Sequence, residues 1–193
     1  PTKDNSNRSA NPAVIRASTI LFNTMQELYQ HEKKIKKHQR VSHYSYGRYG
    51  SSTTIELENI LKELEQAFHV FLTGTGFGGV ALAIMSLVRP GDEILVSDNV
   101  YGPTKEISEK LLKEFNVIAN FYNPDSFDDL KNKITKKTKM ILVENPGSNT
   151  FEFQDLTKIV NLAKKKKIFT FLDNTWGTPL YLKPLKLGFD MSF

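Results

Sequence analysis

The residues able to do chemistry fall in a few short stretches of the chain. The first is Gly74-Thr75-Gly76-Phe77-Gly78-Gly79, four glycines in six residues. Such a turn, entering a helix, leaves backbone N–H groups free and unshielded, and that makes an anion site. A phosphate is the natural guest. Tight packing of a helix on a strand also uses glycine, but four exceed what that needs. Gly74, Gly76 and Gly79 also fit G-x-G-x-x-G, and Asp98 stands about 20 residues on, where a dinucleotide fold keeps its ribose-binding acid. NAD is therefore a competing guest.

Asp173 closes the apolar run Ile168 to Leu172 and precedes Asn174-Thr175-Trp176. A carboxylate there can hold a protonated ring nitrogen, or it can cap the following turn. Tyr46, Arg48 and Tyr49 lie in a glycine-flanked loop. Arginine offers a planar fork suited to phosphate, although a lone arginine is more often a surface residue. Tyr101, just before Gly102-Pro103, offers a ring that stacks on a planar ligand or half-buries at a turn. His31, His38, His43 and His69 lack metal-ligand spacing and read as packing or surface residues. G-x-S-x-G is absent, which leaves serine-hydrolase chemistry without support.

These residues are far apart in sequence, so a scaffold must gather them. Leu57, Leu61, Leu64 and Phe68 recur at helical spacing. A strand is expected at Val70 to Thr73, then the glycine turn and a helix through Val80, Ile84, Leu87 and Val88, closed by Pro90-Gly91. Further strands are expected at Ile94 to Ser97, Val117 to Phe121, Met140 to Glu144, Ile168 to Leu172, and from Asp190 onward. Helices are expected around Ile107 to Phe115, from a Ser126 cap to Ile134, from Leu156 to Ala163, and for one turn at Pro184 to Leu187. Alternation of this kind implies an α/β fold with a mainly parallel sheet and helices on both faces. Ligands of such sheets sit outside the carboxyl ends of the strands. The glycine turn, Ser97 to Tyr101 and Asp173 all fall there. Residues 1–54 read as an arm and loop, with Pro1 to about Asn11 mobile. Residues 55–193 read as the α/β domain, whose sheet is unfinished where the chain stops at Phe193.

Composition narrows the class. There are no cysteines, which excludes disulfides and thiolate chemistry and fits the cytoplasm. The formal net charge is +5. The lysines come in short runs without interleaved aromatics, which fits a solvated surface better than nucleic acid. No apolar run is long enough to span a membrane as a helix.

Six strings resemble, in order and spacing, the trans-sulfuration (Cys/Met metabolism) family of pyridoxal-phosphate enzymes. They are Asn11 to Thr19, Tyr46-Gly-Arg48, Thr75-Gly-Phe77, Asp98-Asn-Val-Tyr-Gly-Pro103, Glu144-Asn-Pro-Gly-Ser148 and Asp173-Asn-Thr-Trp176. The resemblance covers the whole chain but about the first half of a full family member. It implies a fold-type I, aspartate-aminotransferase-like domain with pyridoxal 5'-phosphate as cofactor. It implies that the Gly76 and Phe77 amides hold the phosphate, which Tyr46 and Arg48 reach from a neighbouring subunit. Tyr101 would stack on the ring, with a catalytic role, and Asp173 would pair with the ring nitrogen. The implied activity is carbon–sulfur lysis of a small amino-acid substrate in an assembly of at least a dimer, by resemblance a dimer of dimers. Trp176 points to the β-lyase branch rather than the γ-synthase or γ-lyase branches. Ser148 stands where many relatives carry Asn. The Schiff-base lysine is expected within a few residues after Ser192, beyond Phe193, and a substrate-binding C-terminal domain after it. A non-catalytic remnant is the alternative reading.

Overall fold

The computed structural model describes residues 11–37, 39, 41 and 43–193. The arm expected at the extreme N-terminus lies largely outside these residues, as does His38. The chain divides into two compact units: Pro1–Glu63 with Ala67–Leu72, and Leu64–Gln66 with Thr73–Phe193.

The first unit holds α1 (Met25–Lys36), opened by Thr24, whose side chain accepts from the Glu27 amide. The Glu27 carboxylate in turn accepts from the Asn23 N–H at 3.0 Å, which ties the chain before the cap to the first turn. A 3-10 turn, Gly47–Tyr49, follows. Then comes α2 (Ser52–Glu65), which runs into the second unit. Phe68, expected to continue the apolar stripe of α2, lies beyond its end and is exposed.

The second unit carries α3 (Gly76–Leu87), β1 (Glu93–Ser97) and α4 (Gly102–Glu106). A π-helical turn, Ile107–Leu111, joins α4 to α5 (Leu112–Glu114), so the helix expected around Ile107 to Phe115 is a π-helical turn and a short α-helix, preceded by α4. β2 (Ile118–Tyr122), α6 (Phe127–Lys133), β3 (Thr138–Glu144), α7 (Leu156–Lys166) and β4 (Phe169–Asp173) follow. The chain closes with α8 (Thr178–Tyr181), α9 (Pro184–Leu187) and β5 (Met191–Ser192). Ser126 caps α6 by accepting from the Asp129 amide at 3.1 Å. The basic end of α7, Lys164 to Lys166, complements its dipole.

The five strands form one sheet in the order β2-β1-β3-β4-β5, and every adjacent pair is parallel. The central strands β1 and β3 are apolar on both faces, so successive residues feed two cores. Ile94, Val96, Met140, Leu142 and Phe171 point to one, packed with Val80 and Ile84 of α3. Leu95, Ile141, Val143 and Leu172 point to the other, packed with Ile159, Val160 and Ala163 of α7. Helices on both faces are thus a consequence of the unbroken apolar runs. One expectation fails. Val70 to Thr73 forms no strand. A strand exists through its ladder, and no described strand pairs with this segment, whose Phe71 is exposed.

Candidate functional site

The N-terminus of α3 is capped by Thr75, whose Oγ1 accepts from the Gly78 amide at 3.0 Å. The Thr75 carbonyl accepts from the Gly79 amide at 3.1 Å. That leaves the Gly76 and Phe77 amides of the first turn without an intrahelical acceptor. One side of this turn is closed by Phe193. A Cβ placed on Gly76 would lie 3.0 Å from the Phe193 ring, and one on Gly79 2.9 Å from it. A side chain at either position would therefore have to displace the ring, while nothing lies within 4 Å of a Cβ built on Gly74.

Phe193 ties this turn to the carboxyl end of the sheet. Its carbonyl accepts from the Asn174 amide at 2.8 Å, next to Asp173. Asp173 is 8% exposed. Its Oδ1 accepts twice from Thr175, from the amide at 3.0 Å and from the hydroxyl at 2.6 Å. Oδ2 has no partner among the described residues. The cap reading of Asp173 is thus realised through Oδ1, which leaves Oδ2 unengaged. Asn174 is buried and donates through Nδ2 to the Leu182 carbonyl at 3.0 Å, fixing the loop that follows.

Two strands away, Tyr101 leads into α4 with its ring half exposed. Its amide donates to Glu144 Oε2 at 2.7 Å. Glu144 is 3% exposed and ends β3 in register with Asp173 at the end of β4. Burial pushes the Glu144 carboxyl up to about 7; the Asp173 carboxylate adds to the rise, and the Tyr101 amide and the Ser148 hydroxyl oppose it. Gly76, Phe77, Tyr101 and Asp173 thus share one rim of the sheet.

A polar network supports that rim. Gln154 accepts from the Tyr122 hydroxyl at 2.8 Å and donates to Ser97 Oγ at 2.9 Å. Its own amide donates to Asn145 Oδ1 at 2.6 Å, which holds the segment between β3 and α7. Ser97 also bonds Asn99, and Asn99 Nδ2 donates to Glu152 Oε2 at 3.2 Å. A Cβ on Gly147 would collide with the Asn99 side chain and come within 2.8 Å of Glu152, so a larger residue there would have to displace this pair. Ser148 donates its amide to the Asn99 carbonyl at 2.9 Å. Trp176 is half exposed, edge-on to Phe151 at 4.9 Å.

Tyr46 and Arg48 belong to the other compact unit. The Arg48 guanidinium lies 5.1 Å from the Tyr46 ring centre and 5.9 Å from that of Tyr49. Tyr46 bridges Thr19 in antiparallel fashion, and the Gly47 amide donates to the Ser18 carbonyl at 2.8 Å. In the same unit, His31 and His43 stack at 4.6 Å beside Phe22, so these two histidines are packing residues.

In the sequence Glu144 is the end of an expected strand and the first residue of a motif, with no role of its own. A charged residue ending an apolar strand, as Asp173 does, was the available signal. Asp98, the acid a dinucleotide site requires, is engaged by Lys105 Nζ at 2.5 Å. With no strand before the glycine turn, the strand–turn–helix of that alternative is not formed.

Comparison with known proteins places this geometry in a family. A Saccharomyces cerevisiae protein provisionally named cystathionine beta-lyase is 36% identical over 94% of this chain and 51% of its own. The cystathionine beta-lyase of Bordetella avium is 33% identical over 92% of this chain and 44% of its own. A Campylobacter jejuni structure containing N'-pyridoxyl-lysine-5'-monophosphate superposes with a TM-score of 0.84 at 27% identity, covering 97% of this chain and 45% of that one. The chain therefore spans about half the length of the relatives it matches. A family model described as "Cys/Met metabolism PLP-dependent enzyme" matches residues 1–193, and the chain belongs to that family.

Proposed function

We propose that this chain is the cofactor-binding part of a carbon–sulfur lyase that splits L-cystathionine at its β-carbon, giving homocysteine, pyruvate and ammonia. One observation carries the reading. At a single rim of the sheet stand two unpaired helix N-terminal amides, Gly76 and Phe77, and a buried carboxylate, Asp173, with one oxygen free. This donor set suits pyridoxal 5'-phosphate: an anion cradle for the phosphate, and an acceptor for a protonated ring nitrogen. The glycine turn has Phe193 on one side and open space at Gly74, which leaves room for a phosphate.

When bound, the cofactor supplies an electron sink for the pair released at the substrate α-carbon. The chain's residues do the rest by binding and orientation. The Gly76 and Phe77 amides donate to phosphate oxygens. The Tyr101 ring covers one face of the heterocycle. Asp173 Oδ2 accepts from the ring nitrogen and holds its proton. Tyr46 and Arg48 reach the phosphate of a neighbouring copy, which makes the protein a self-associating enzyme, a dimer of dimers in the cytoplasm. The β-lyase branch is supported by Asn174-Thr-Trp176 and by the two relatives named as cystathionine beta-lyases.

Incubating the protein as its gene encodes it with L-cystathionine and pyridoxal phosphate tests this. Pyruvate should appear in step with a homocysteine thiol. Release of cysteine with 2-oxobutyrate would move the protein to the γ-lyase branch. Absence of any product, with no cofactor absorbance band, would reject the reading.

A further inference from the structure

Glu144 has a position that the roles above leave unused. It ends β3 beside Asp173, in the adjacent strand and in register with it. Two carboxylates rarely stand side by side in a buried place without a cation, because each disfavours the charge of the other. Among the described residues no Lys, Arg or His forms an ion pair with Glu144. Its Oε2 instead accepts the Tyr101 backbone N–H at 2.7 Å, across 43 residues of sequence. Asp173 faces it from β4, Ser148 from the loop after β3, and the Tyr101 amide from the start of α4. The Glu144 carbonyl accepts from Gln154 Nε2 at 3.3 Å.

Tyr101 has a second anchor, its carbonyl, which accepts from the Lys105 amide at 3.0 Å within α4. Its ring, half exposed, makes no ring contact with another described aromatic. Where the ring stands therefore depends on where its backbone is held, and the Glu144 bond fixes that backbone to the end of β3.

Building on the cofactor site above, we propose that Glu144 is a positioning residue: its carboxylate holds Tyr101 against the ring and tunes, with the proton it carries, the negative charge offered beside Asp173. A protonated Glu144 leaves a single carboxylate, Asp173, facing the ring nitrogen. An ionised one strengthens the bond to the Tyr101 amide, since charge-assisted bonds are roughly twice as strong as neutral ones. It also adds negative charge near a cationic ring. The rise of Glu144 to about 7 puts this exchange in the neutral range.

Two measurements on the chain test it, and only one needs a ligand. The first follows the Tyr101 amide by nitrogen–proton NMR against pH. In the wild-type chain the signal should shift with a midpoint near 7, and in Glu144→Gln it should be flat. A flat wild-type signal, or the same curve in the variant, overturns the proposal. The second uses pyridoxamine 5'-phosphate, which binds without forming a Schiff base on surface lysines. The ratio of wild-type to Glu144→Gln affinity cancels the ligand's own ionisations. It should rise about threefold to tenfold as pH passes from 6 to 8. A constant ratio overturns the proposal with the cofactor site intact. No binding by wild type at any pH, beside a titrating Tyr101 amide, rejects the cofactor site instead, and with it the role of Glu144 there.

Discussion

Replacing Asp173 by Asn isolates the charge that the proposed site offers to a ring nitrogen. Asp173 Oδ1 already accepts from the Thr175 amide and hydroxyl, and an asparagine carbonyl can keep both bonds. The change then falls on Oδ2, which has no partner among the described residues and is replaced by a donor NH2. A protonated ring nitrogen would meet a donor instead of an anionic acceptor. A hydrogen bond to a charged group contributes about 1.5–3 kcal/mol, so the affinity for pyridoxamine 5'-phosphate should fall roughly 10- to 100-fold. The same substitution removes the like charge beside Glu144, so the midpoint of Glu144 should move down from about 7 towards the ordinary carboxylate range. Folding should be unharmed, because no packing atom is lost and a charge repulsion disappears. The affinity is measured by fluorescence titration at pH 7.5, with a thermal melt as control. An affinity within about threefold of wild type, at an unchanged melting temperature, would refute the assignment of Asp173 to the ring nitrogen.

Two further outcomes follow from the same geometry. Glu144 has a folded-state pKa raised from 4.5 to about 7, so its contribution to stability is present below the unfolded value and is lost as pH rises through about 7. In urea titrations the stability of wild type relative to Glu144→Gln should therefore fall by about 3 kcal/mol between pH 4.5 and pH 8; a constant difference would contradict this. If Arg48 serves a neighbouring copy, Arg48→Ala and Asp173→Asn proteins should each bind the cofactor weakly but complement on mixing. In a randomly mixed dimer about a quarter of the sites regain both residues, and no recovery after subunit exchange would argue that the Arg48 site is not shared.

Most of the scaffold is legible in the sequence because parallel α/β architecture writes itself as continuous apolar runs. Ile94 to Val96 and Met140 to Val143 have no polar face, so each must be covered on two sides, and the two cores around α3 and α7 are that requirement met. Ser126 with Asp129 marks the start of α6 because the cap chemistry is local. Val70 to Thr73 misleads for the opposite reason. Its residues favour an extended chain, but a strand is a relation between segments, and no window of sequence says whether a partner is present. The π-helical turn Ile107–Leu111 is invisible in the same way, since apolar spacing alone does not register one extra residue in a turn.

The site divides along the same line. The glycine turn from Gly74 to Gly79 stands out because a helix start poor in side chains is an anion site by local geometry, while the choice of Gly76 and Phe77 within it comes from the family resemblance. Asp173 stands out as the charged end of an apolar strand. Glu144 has the same signature, a carboxylate closing the run Met140 to Val143, yet its partner is an amide 43 residues away and its neighbour is on another strand. A peptide N–H carries no mark in a sequence, so the bond that holds Tyr101 is recoverable only from the fold. What turns this second carboxylate from an ordinary strand end into part of the site is register. In the parallel pairing Met140 meets Phe169, and four residues on Glu144 meets Asp173. A slip by one residue would turn Glu144 to the opposite face from Asp173 and part the two acids. The charge offered to a bound ring is therefore set as much by the pairing of β3 with β4 as by the acids themselves.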